Sequence, residues 1–227
     1  MINFNIAIDG PAGAGKSTIA KKIAKNLGFI YVDTGAMYRA MALYFLRNKI
    51  EATDNTRIEE ACNDVNVTIE YKNGEQLVIL NGENVNGLIR TEEVGNMASA
   101  SSVNKTVRLK LVELQQNLAK CESVVMDGRD IGTYVLPSAD LKIYLTASSK
   151  ERARRRWTEL KEKGVESDIT SIEQDIIERD YRDMNRDFAP LKQASDAIYL
   201  DSSNFTIDEV VDQIMNFYQN KVKAKEV

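Results

Sequence analysis

The chain has 227 residues, 43% hydrophobic and 28% charged, which fits a globular protein of one large domain or a core with a small insert. A net charge of −4 argues against a general nucleic-acid or membrane-surface binder, because such proteins present a basic face. The absence of histidine and the presence of only two cysteines, Cys62 and Cys121, exclude histidine bases, Ser-His-Asp triads, Cys₄ metal sites and a disulfide framework.

The first predicted elements are a buried strand at residues 2–8 and a helix at 15–27, joined by a glycine-rich loop. Residues 10–17 match the phosphate-binding P-loop pattern G-x-x-x-x-G-K-S in its strand–loop–helix context. The glycines let backbone N–H groups point at phosphate oxygens, next to the positive end of the helix. We expect Lys16 to place its positive charge near the β- and γ-phosphates and Ser17 to bind Mg²⁺ through its hydroxyl.

The next segment continues a β-α-β-α order that is typical of a parallel α/β sheet: a strand at 29–32, a turn at 33–35 and a helix at 36–48. Two alternating stretches, 65–71 and 76–80, then flank the turn signal Asn73-Gly74 and predict an antiparallel hairpin. We interpret residues 56–90 as a subdomain inserted into the α/β core.

The second half returns to strands and helices in alternation. Capping-box patterns at 170–173 and 206–209 predict two helix starts, and the tail at 221–227 is expected to fray. The predicted elements are a helix at 94–118 with a break near 103–104, strands at 123–126, 141–145 and 197–200, and helices at 149–162, at 170–184 and after 206.

Charged and hydroxyl side chains follow two of the predicted strands. Asp127 ends an apolar strand, as the Mg²⁺-holding carboxylate of P-loop proteins does, and Arg129 comes directly after it. Thr34 and Arg39 follow the second strand, where open α/β sheets bind ligands. A surface salt bridge for Arg129 and an ordinary helix start with a surface arginine for Arg39 remain the alternatives.

Two predicted helices carry dense charge on one face. The charged face of the helix at 149–162 suits an arginine-bearing lid that closes over transferring phosphates. The charged face at the helix predicted for 170–184 suits nucleotide binding, with arginine contacting phosphate and aspartate contacting ribose. The simpler alternative for both is a solvated helix with internal salt bridges. The faces hold Arg152, Arg155 and Arg156 in one helix, and Arg179, Asp183 and Arg186 in the other.

Six motifs occur in order across nearly the whole chain: GPAGAGKST, DTGAMYR, EVGNMASASSVNKTVR, DGRDIGT, ASSKERARRR and ERDYRDMNRDFAPL. Together they resemble the bacterial cytidylate kinase family. The resemblance implies an α/β fold with a P-loop NTPase-type parallel sheet flanked by helices, a small inserted antiparallel β subdomain and a helical lid. It implies one domain, with a core (about 1–55, 91–147 and 186–227), an NMP-binding insert (about 56–90) and a lid (about 148–185).

The resemblance also implies a role for each matching residue. The ATP phosphates would lie in the loop of Gly10, Pro11, Ala12, Gly13, Ala14, Gly15, Lys16, Ser17 and Thr18. CMP would be bound by Thr34, Arg39 and Arg129 at its phosphate, by Ser99, Arg108 and Asp130 at cytosine, by Arg179 and Asp183 at the ribose, and by Arg186. The catalytic set would be Lys16, Arg129, Arg186, Arg152 and Arg156, although the arginine run permits several registers, and the metal would lie at Ser17 and Asp127.

The implied reaction is phosphoryl transfer from ATP to CMP and dCMP with Mg²⁺ as cofactor. The alternatives are a kinase for adenylate, uridylate, thymidylate or shikimate, a P-loop switch protein, and a nucleic-acid-binding ATPase, which the acidic balance disfavours. Asp130 discriminates among the pyrimidines, because a carboxylate accepts from the cytosine amine and repels the uracil O4.

We expect a cytoplasmic monomer that binds neither nucleic acid nor membrane. Both cysteines are interpreted as reduced, the first residues lack a charged leader region, and no apolar stretch approaches the ~18 residues that span a bilayer. We expect a monomer because the sequence shows no long amphipathic segment beyond the predicted core elements and no apolar run that would be left exposed.

Overall fold

A five-stranded parallel sheet forms the centre of the protein, whose computed structural model describes residues 3–72 and 74–225. Its strands are β1 (Ile6–Asp9), β2 (Ile30–Asp33), β6 (Val124–Gly128), β7 (Leu141–Thr146) and β8 (Ile198–Asp201). The strand order is β2-β6-β1-β7-β8, and every pair is parallel. The three inner strands are almost wholly buried, because helices cover both faces of such a sheet.

The helices divide into two layers. On one face α1 (Lys16–Leu27) and α8 (Ile207–Lys225) pack over Ile8 and Val125. On the other face α2 (Thr34–Arg47) packs over Met126. The remaining helices are α3 (Asn55–Asp64), α4 (Glu92–Ser101), α5 (Lys105–Cys121), α6 (Ser149–Glu162) and α7 (Ile169–Asn185).

A separate antiparallel sheet lies between α3 and α4 in the chain. It consists of β3 (Val67–Lys72), β4 (Glu75–Leu80) and the short β5 (Glu83–Asn84), in that order. Its inner residues Val67, Val78 and Leu80 belong to the same hydrophobic core as α2, so the small sheet packs on the main body. The predicted parallel sheet with a small antiparallel insert is therefore confirmed.

The helix boundaries correct several predictions. The long predicted helix is broken as expected, because Asn104 caps α5 by accepting from the N–H groups of Thr106 and Val107. The capping box predicted at 170–173 is wrong, because Asp168 caps α7 and accepts from the Ser171 N–H at 2.9 Å.

The second capping box is confirmed: Glu209 accepts from the Thr206 N–H, and the Glu209 N–H donates to the Thr206 hydroxyl. Helix α8 continues to Lys225, so the tail predicted to fray is helical up to that residue, and residues 226–227 lie outside the described range. Residue 2 and the hairpin signal at Asn73 also lie outside it. Helix α3 was not predicted.

Helices that are both long and apolar enough to cross a membrane do not occur in the described part of the chain. The division into core, insert and lid stays a prediction.

Candidate functional site

The P-loop wraps tightly between β1 and α1. Gly10 has a φ of 149°, and a Cβ there would lie 1.9 Å from the Leu145 carbonyl oxygen, so only glycine fits. Gly13 and Gly15 adopt positive φ values of 75° and 83°. Helix α1 begins at Lys16, and over residues 3–72 and 74–225 no side chain caps its start. Its first N–H groups therefore remain available to an anion.

Lys16 lies at the centre of the site. Its side chain is buried, and Nζ donates to the Pro11 carbonyl oxygen at 2.7 Å. Burial, followed by the nearby positive charge of Arg129, lowers the pKa of Lys16 to about 7. A bound phosphate would restore the preference for the charged amine.

Asp127, at the end of β6, receives hydrogen bonds on both carboxylate oxygens. The Ser17 hydroxyl donates to Oδ2 at 2.9 Å, and the Tyr31 hydroxyl donates to Oδ1 at 2.8 Å. Burial, followed by the charge of Asp33, raises the pKa of Asp127. The structure thus brings together the predicted metal residues Ser17 and Asp127.

A cleft of about 250 Å³ opens on one side of the P-loop. Seven cationic side chains line it against four carboxylates, which suits an anionic ligand. The charged lining residues are Lys16, Arg39, Arg90, Arg108, Arg129, Arg179, Arg186, Asp33, Asp127, Asp130 and Asp183. We call this space the acceptor cleft.

The inner end of the acceptor cleft holds a buried charge cluster. Asp130 accepts from Arg108 Nη2 at 2.5 Å and from Arg186 Nη2 at 3.3 Å. Arg186 also donates to the Ala189 carbonyl oxygen through Nε and Nη2. Ser99 lines the same end. The arrangement fixes a carboxylate whose remaining lone pairs can accept from a ligand amine.

A second pair lies nearer the P-loop. Arg129 Nε donates to Asp183 Oδ2 at 2.8 Å. Burial alone raises the pKa of Asp183, but Arg129 and then Arg179 outweigh it and hold that pKa below its usual range. Burial and the charge of Arg129 lower the pKa of Arg179 to about 10, and within the described residues its buried Nε has no hydrogen-bond partner.

The start of α2 supplies the predicted phosphate residues. The Thr34 hydroxyl donates to the Asp127 carbonyl oxygen at 2.7 Å. Asp33 caps α2 through the Ala36 N–H and pairs with two arginines, Arg39 at 3.4 Å and Arg90 at 2.9 Å. Both guanidinium groups line the acceptor cleft and are paired with the Asp33 carboxylate. A bound phosphate would take the place of that carboxylate as their partner.

Asp9 ties β1 to the loop that follows Asp130. Its two carboxylate oxygens accept from the N–H groups of Ile131 and Gly132, both at 2.7 Å, at the start of a single π-helical turn, Ile131–Val135. Burial raises the pKa of Asp9 to about 7. The contact orients the loop that carries Asp130.

A larger cavity of about 560 Å³ lies on the other side of the P-loop, and we call it the donor cavity. Gly13, Lys16 and Ser17 line both spaces, so the P-loop lies between them. Arg155 borders the donor cavity and donates to the Ser202 carbonyl oxygen at 2.8 Å. The apolar wall of the donor cavity consists of Ile19, Phe205, Ile207 and Val210.

The arginine run separates into three environments. Arg152 is buried below the P-loop, donates to the Ala12 carbonyl oxygen at 2.8 Å and pairs with Asp180, which accepts from the Ala12 N–H. Arg155 faces the donor cavity. The Arg156 side chain is 52% exposed, pairs with Glu159 and lines neither cavity.

The structure therefore brings most predicted residues to one place. The acceptor cleft contains Ser99, Thr34, Arg39, Arg108, Arg129, Asp130, Arg179, Asp183 and Arg186, and the P-loop borders it. Arg152 supports the loop from below, and Arg156 lies apart. Sequence reasoning missed Arg90 and Tyr31, which no motif marks, and did not separate Arg155 from its neighbours in the run.

The chain is similar to known proteins over its full length. A family model described as cytidylate kinase matches residues 6–220. A cytidylate kinase of Caldicellulosiruptor saccharolyticus is 52% identical over 227 residues and covers 100% of both chains, and one of Streptococcus suis is 48% identical over 228 residues, covering 100% of this chain and 99% of that one.

Among solved structures, an uncharacterized protein from Eubacterium ventriosum superposes with a TM-score of 0.51 at 13% identity. The superposition covers 95% of this chain and 98% of that one. At that identity the likeness concerns the fold alone.

Proposed function

Because this chain belongs to the cytidylate kinase family, we propose that it transfers the γ-phosphoryl group of ATP to CMP and dCMP, with the two nucleotides bound in the two cavities. One observation carries the proposal: Gly13, Lys16 and Ser17 line both cavities. A donor phosphate in the P-loop would therefore face an acceptor phosphate across Lys16.

The acceptor cleft would hold the CMP phosphate near the P-loop. Thr34, Arg39 and Arg129 are proposed as its ligands, and we add Arg90 because it shares the Asp33 carboxylate with Arg39. Guanidinium groups suit this task because their planar fork binds two phosphate oxygens at once. A bound phosphate would replace the Asp33 carboxylate as the partner of Arg39 and Arg90, and both guanidinium groups would then contact the ligand.

The inner end of the cleft would read the base. Asp130 is proposed to accept from the cytosine amine, while Ser99 and Arg108 contact the other polar atoms of the ring edge. Arg108 and Arg186 keep Asp130 oriented, so the carboxylate is in place before a ligand arrives. Uracil would present an acceptor to this carboxylate and be disfavoured.

Arg179 and Asp183 are proposed to contact the ribose. Asp183 already accepts from Arg129, which links the ribose site to the phosphate site. The buried Nε of Arg179 has no partner among the residues that the structure describes, so a ligand oxygen would satisfy it. dCMP, which lacks the 2′-hydroxyl, is proposed as a second acceptor.

Ser17 and Asp127 fit a magnesium ion. They offer oxygen atoms alone, 2.9 Å apart, beside the phosphate loop. The described residues hold no cluster of three or more acidic, cysteine or histidine side chains, and Mg²⁺ ordinarily takes one or two protein ligands plus water and phosphate oxygens. When bound there, Mg²⁺ would supply positive charge to the ATP phosphates.

Phosphoryl transfer asks little covalent chemistry of the protein. The acceptor oxygen of CMP is already ionised near neutral pH, so no strong base is needed, which suits a chain without histidine. Lys16 and the P-loop N–H groups would stabilise charge on the transferring group, and Arg129 would do so from the acceptor side. Arg186 is proposed to join them. We also propose that helix α6, which carries Arg152 and Arg156, closes over the transferring phosphates and excludes water.

The test is a parallel measurement of ADP formation from ATP and Mg²⁺ with CMP, dCMP, UMP, AMP, GMP or no acceptor. We expect strong preference for CMP and dCMP and almost no turnover without acceptor. Preference for another monophosphate would overturn the roles of Asp130, Arg108 and Ser99. Turnover that does not depend on an acceptor would overturn the kinase assignment.

A further inference from the structure

Tyr31 contacts the carboxylate that is proposed to face the metal. Its hydroxyl donates to Oδ1 of Asp127 at 2.8 Å, while the Ser17 hydroxyl donates to Oδ2 at 2.9 Å. Each carboxylate oxygen therefore has one side-chain donor. Of the two donors, Ser17 is itself a proposed metal contact, whereas the Tyr31 hydroxyl lies on the opposite oxygen.

The position of Tyr31 is fixed by the sheet. Strands β2 and β6 are neighbours in parallel register, with Tyr31 opposite Val125 and Asp33 opposite Asp127. The Tyr31 carbonyl oxygen accepts from the Tyr71 hydroxyl of the small sheet at 3.2 Å. Lys21 Nζ lies 5.6 Å from the centre of the Tyr31 ring. Backbone pairing and packing thus hold the phenol where it meets Oδ1.

The Tyr31 hydroxyl is the hydrogen-bond donor in this contact, because an ionised carboxylate offers only acceptors. The phenol therefore attracts the carboxylate oxygen that it contacts and restricts its orientation.

We propose that Tyr31 is a positioning residue that orients the Asp127 carboxylate toward the divalent cation of the bound nucleotide. By holding Oδ1, the phenol leaves Oδ2 directed at the Ser17 side of the site. The inference rests on the proposed metal role of Asp127. Outer hydrogen-bond partners of metal ligands typically account for a 10- to 100-fold difference in metal affinity, which sets the expected size of the effect at about tenfold or more.

The experiment measures nucleotide binding and not turnover. Isothermal titration calorimetry gives the Kd of ADP with and without Mg²⁺, and the ratio of the two values reports the contribution of the cation. The variants are Tyr31→Phe, which removes only the hydroxyl, and Tyr199→Phe, which removes the hydroxyl of a 57% exposed tyrosine on β8, at the opposite edge of the sheet. Asp127→Ala and the double variant Tyr31→Phe/Asp127→Ala complete a cycle.

We expect Tyr31→Phe to reduce the Mg²⁺ ratio about tenfold or more while the Kd of metal-free ADP stays unchanged. Tyr199→Phe should behave like the parent protein, and Tyr31→Phe should add nothing to Asp127→Ala. An unchanged ratio in Tyr31→Phe, or an equal loss of affinity with and without Mg²⁺, would overturn the inference. A parent protein without a Mg²⁺ effect, or one that keeps it in Asp127→Ala, would instead remove the proposed role of Asp127 and the inference with it.

Discussion

The two cavities that meet at the P-loop are built on different principles. The acceptor cleft is lined by charged side chains that are already paired, such as Arg108 with Asp130 and Arg129 with Asp183. The donor cavity is lined by backbone, apolar side chains and charged pairs that stay partly exposed, Arg154 and Arg155 with Glu151, and its residues Phe205 and Ile207 are 43% and 46% exposed.

The difference reflects the cost of burying charge. An arginine inside a protein must have a partner, so the acceptor cleft orders its arginines with aspartates before the ligand binds. Such a cleft discriminates strongly, because a wrong ligand leaves buried polar groups unsatisfied. In the proposed function the donor cavity would hold phosphates with loop N–H groups and would leave the base on an open surface, which predicts weaker selection among donor bases.

Removal of the Lys16 amine is expected to affect both cavities, because its side chain lines both of them. Lys16→Met should lower kcat by about 10²- to 10³-fold, the usual loss when one preorganised charge contact to a transition state is removed. Steady-state kinetics with saturating ATP and CMP would measure the loss. Thermal unfolding is the control, because a fall in kcat without a fall in Tm separates chemistry from folding. A variant with more than a tenth of the parent kcat would contradict the role.

Substitution of Asp130 tests selection in the acceptor cleft alone. Asp130→Asn should reduce the CMP-to-UMP ratio of kcat/KM by about 10- to 100-fold, since one bidentate base contact is worth about 1–3 kcal/mol of discrimination. The variant also removes the buried carboxylate that pairs with Arg108 and Arg186, so a lower Tm is expected. The KM for ATP is the internal control, and an unchanged base preference would refute the assignment.

The burial of Asp9 predicts that the stability of the folded protein depends on pH. The folded-state pKa of Asp9 is raised from 3.8 to about 7, so the folded protein binds the proton more tightly than the unfolded chain, and stability falls as pH rises through this window. Relative to Asp9→Asn, the free energy of unfolding of the parent protein should decrease by about 2 kcal/mol between pH 5 and 7. Urea denaturation at several pH values measures it. Parallel curves for the two proteins would contradict the expectation.

The smallest effect is expected on the donor side and separates two neighbouring arginines. Arg155→Ala should raise the KM for ATP a few-fold, because Arg155 borders the donor cavity and its contacts are partly exposed. Arg156→Ala is the matched variant, and its exposed pair with Glu159 predicts a smaller change. Equal effects, or a large loss of kcat in Arg156→Ala, would show that closure of α6 brings Arg156 to the phosphates.

Sequence reasoning reached much of the site because its residues follow strand ends and short loops. Thr34 comes directly after β2 and Asp127 is the last but one residue of β6, and parallel strands carry such positions to one edge of the sheet. The arginine run of α6 was harder, because helical periodicity places Arg152, Arg155 and Arg156 on one face but does not say what that face contacts.

The sequence alone was enough to identify the P-loop, the order of the five core strands and of most helices, the inserted antiparallel hairpin and the family, because these depend on local patterns such as glycine spacing and hydrophobic period. Only the tertiary structure decided which charges meet. Arg90 pairs with Asp33 over 57 residues, Tyr31 reaches Asp127 over 96, and Asp180 reaches the P-loop over 168. Contacts between such distant residues depend on how the elements pack, and no local pattern specifies that packing.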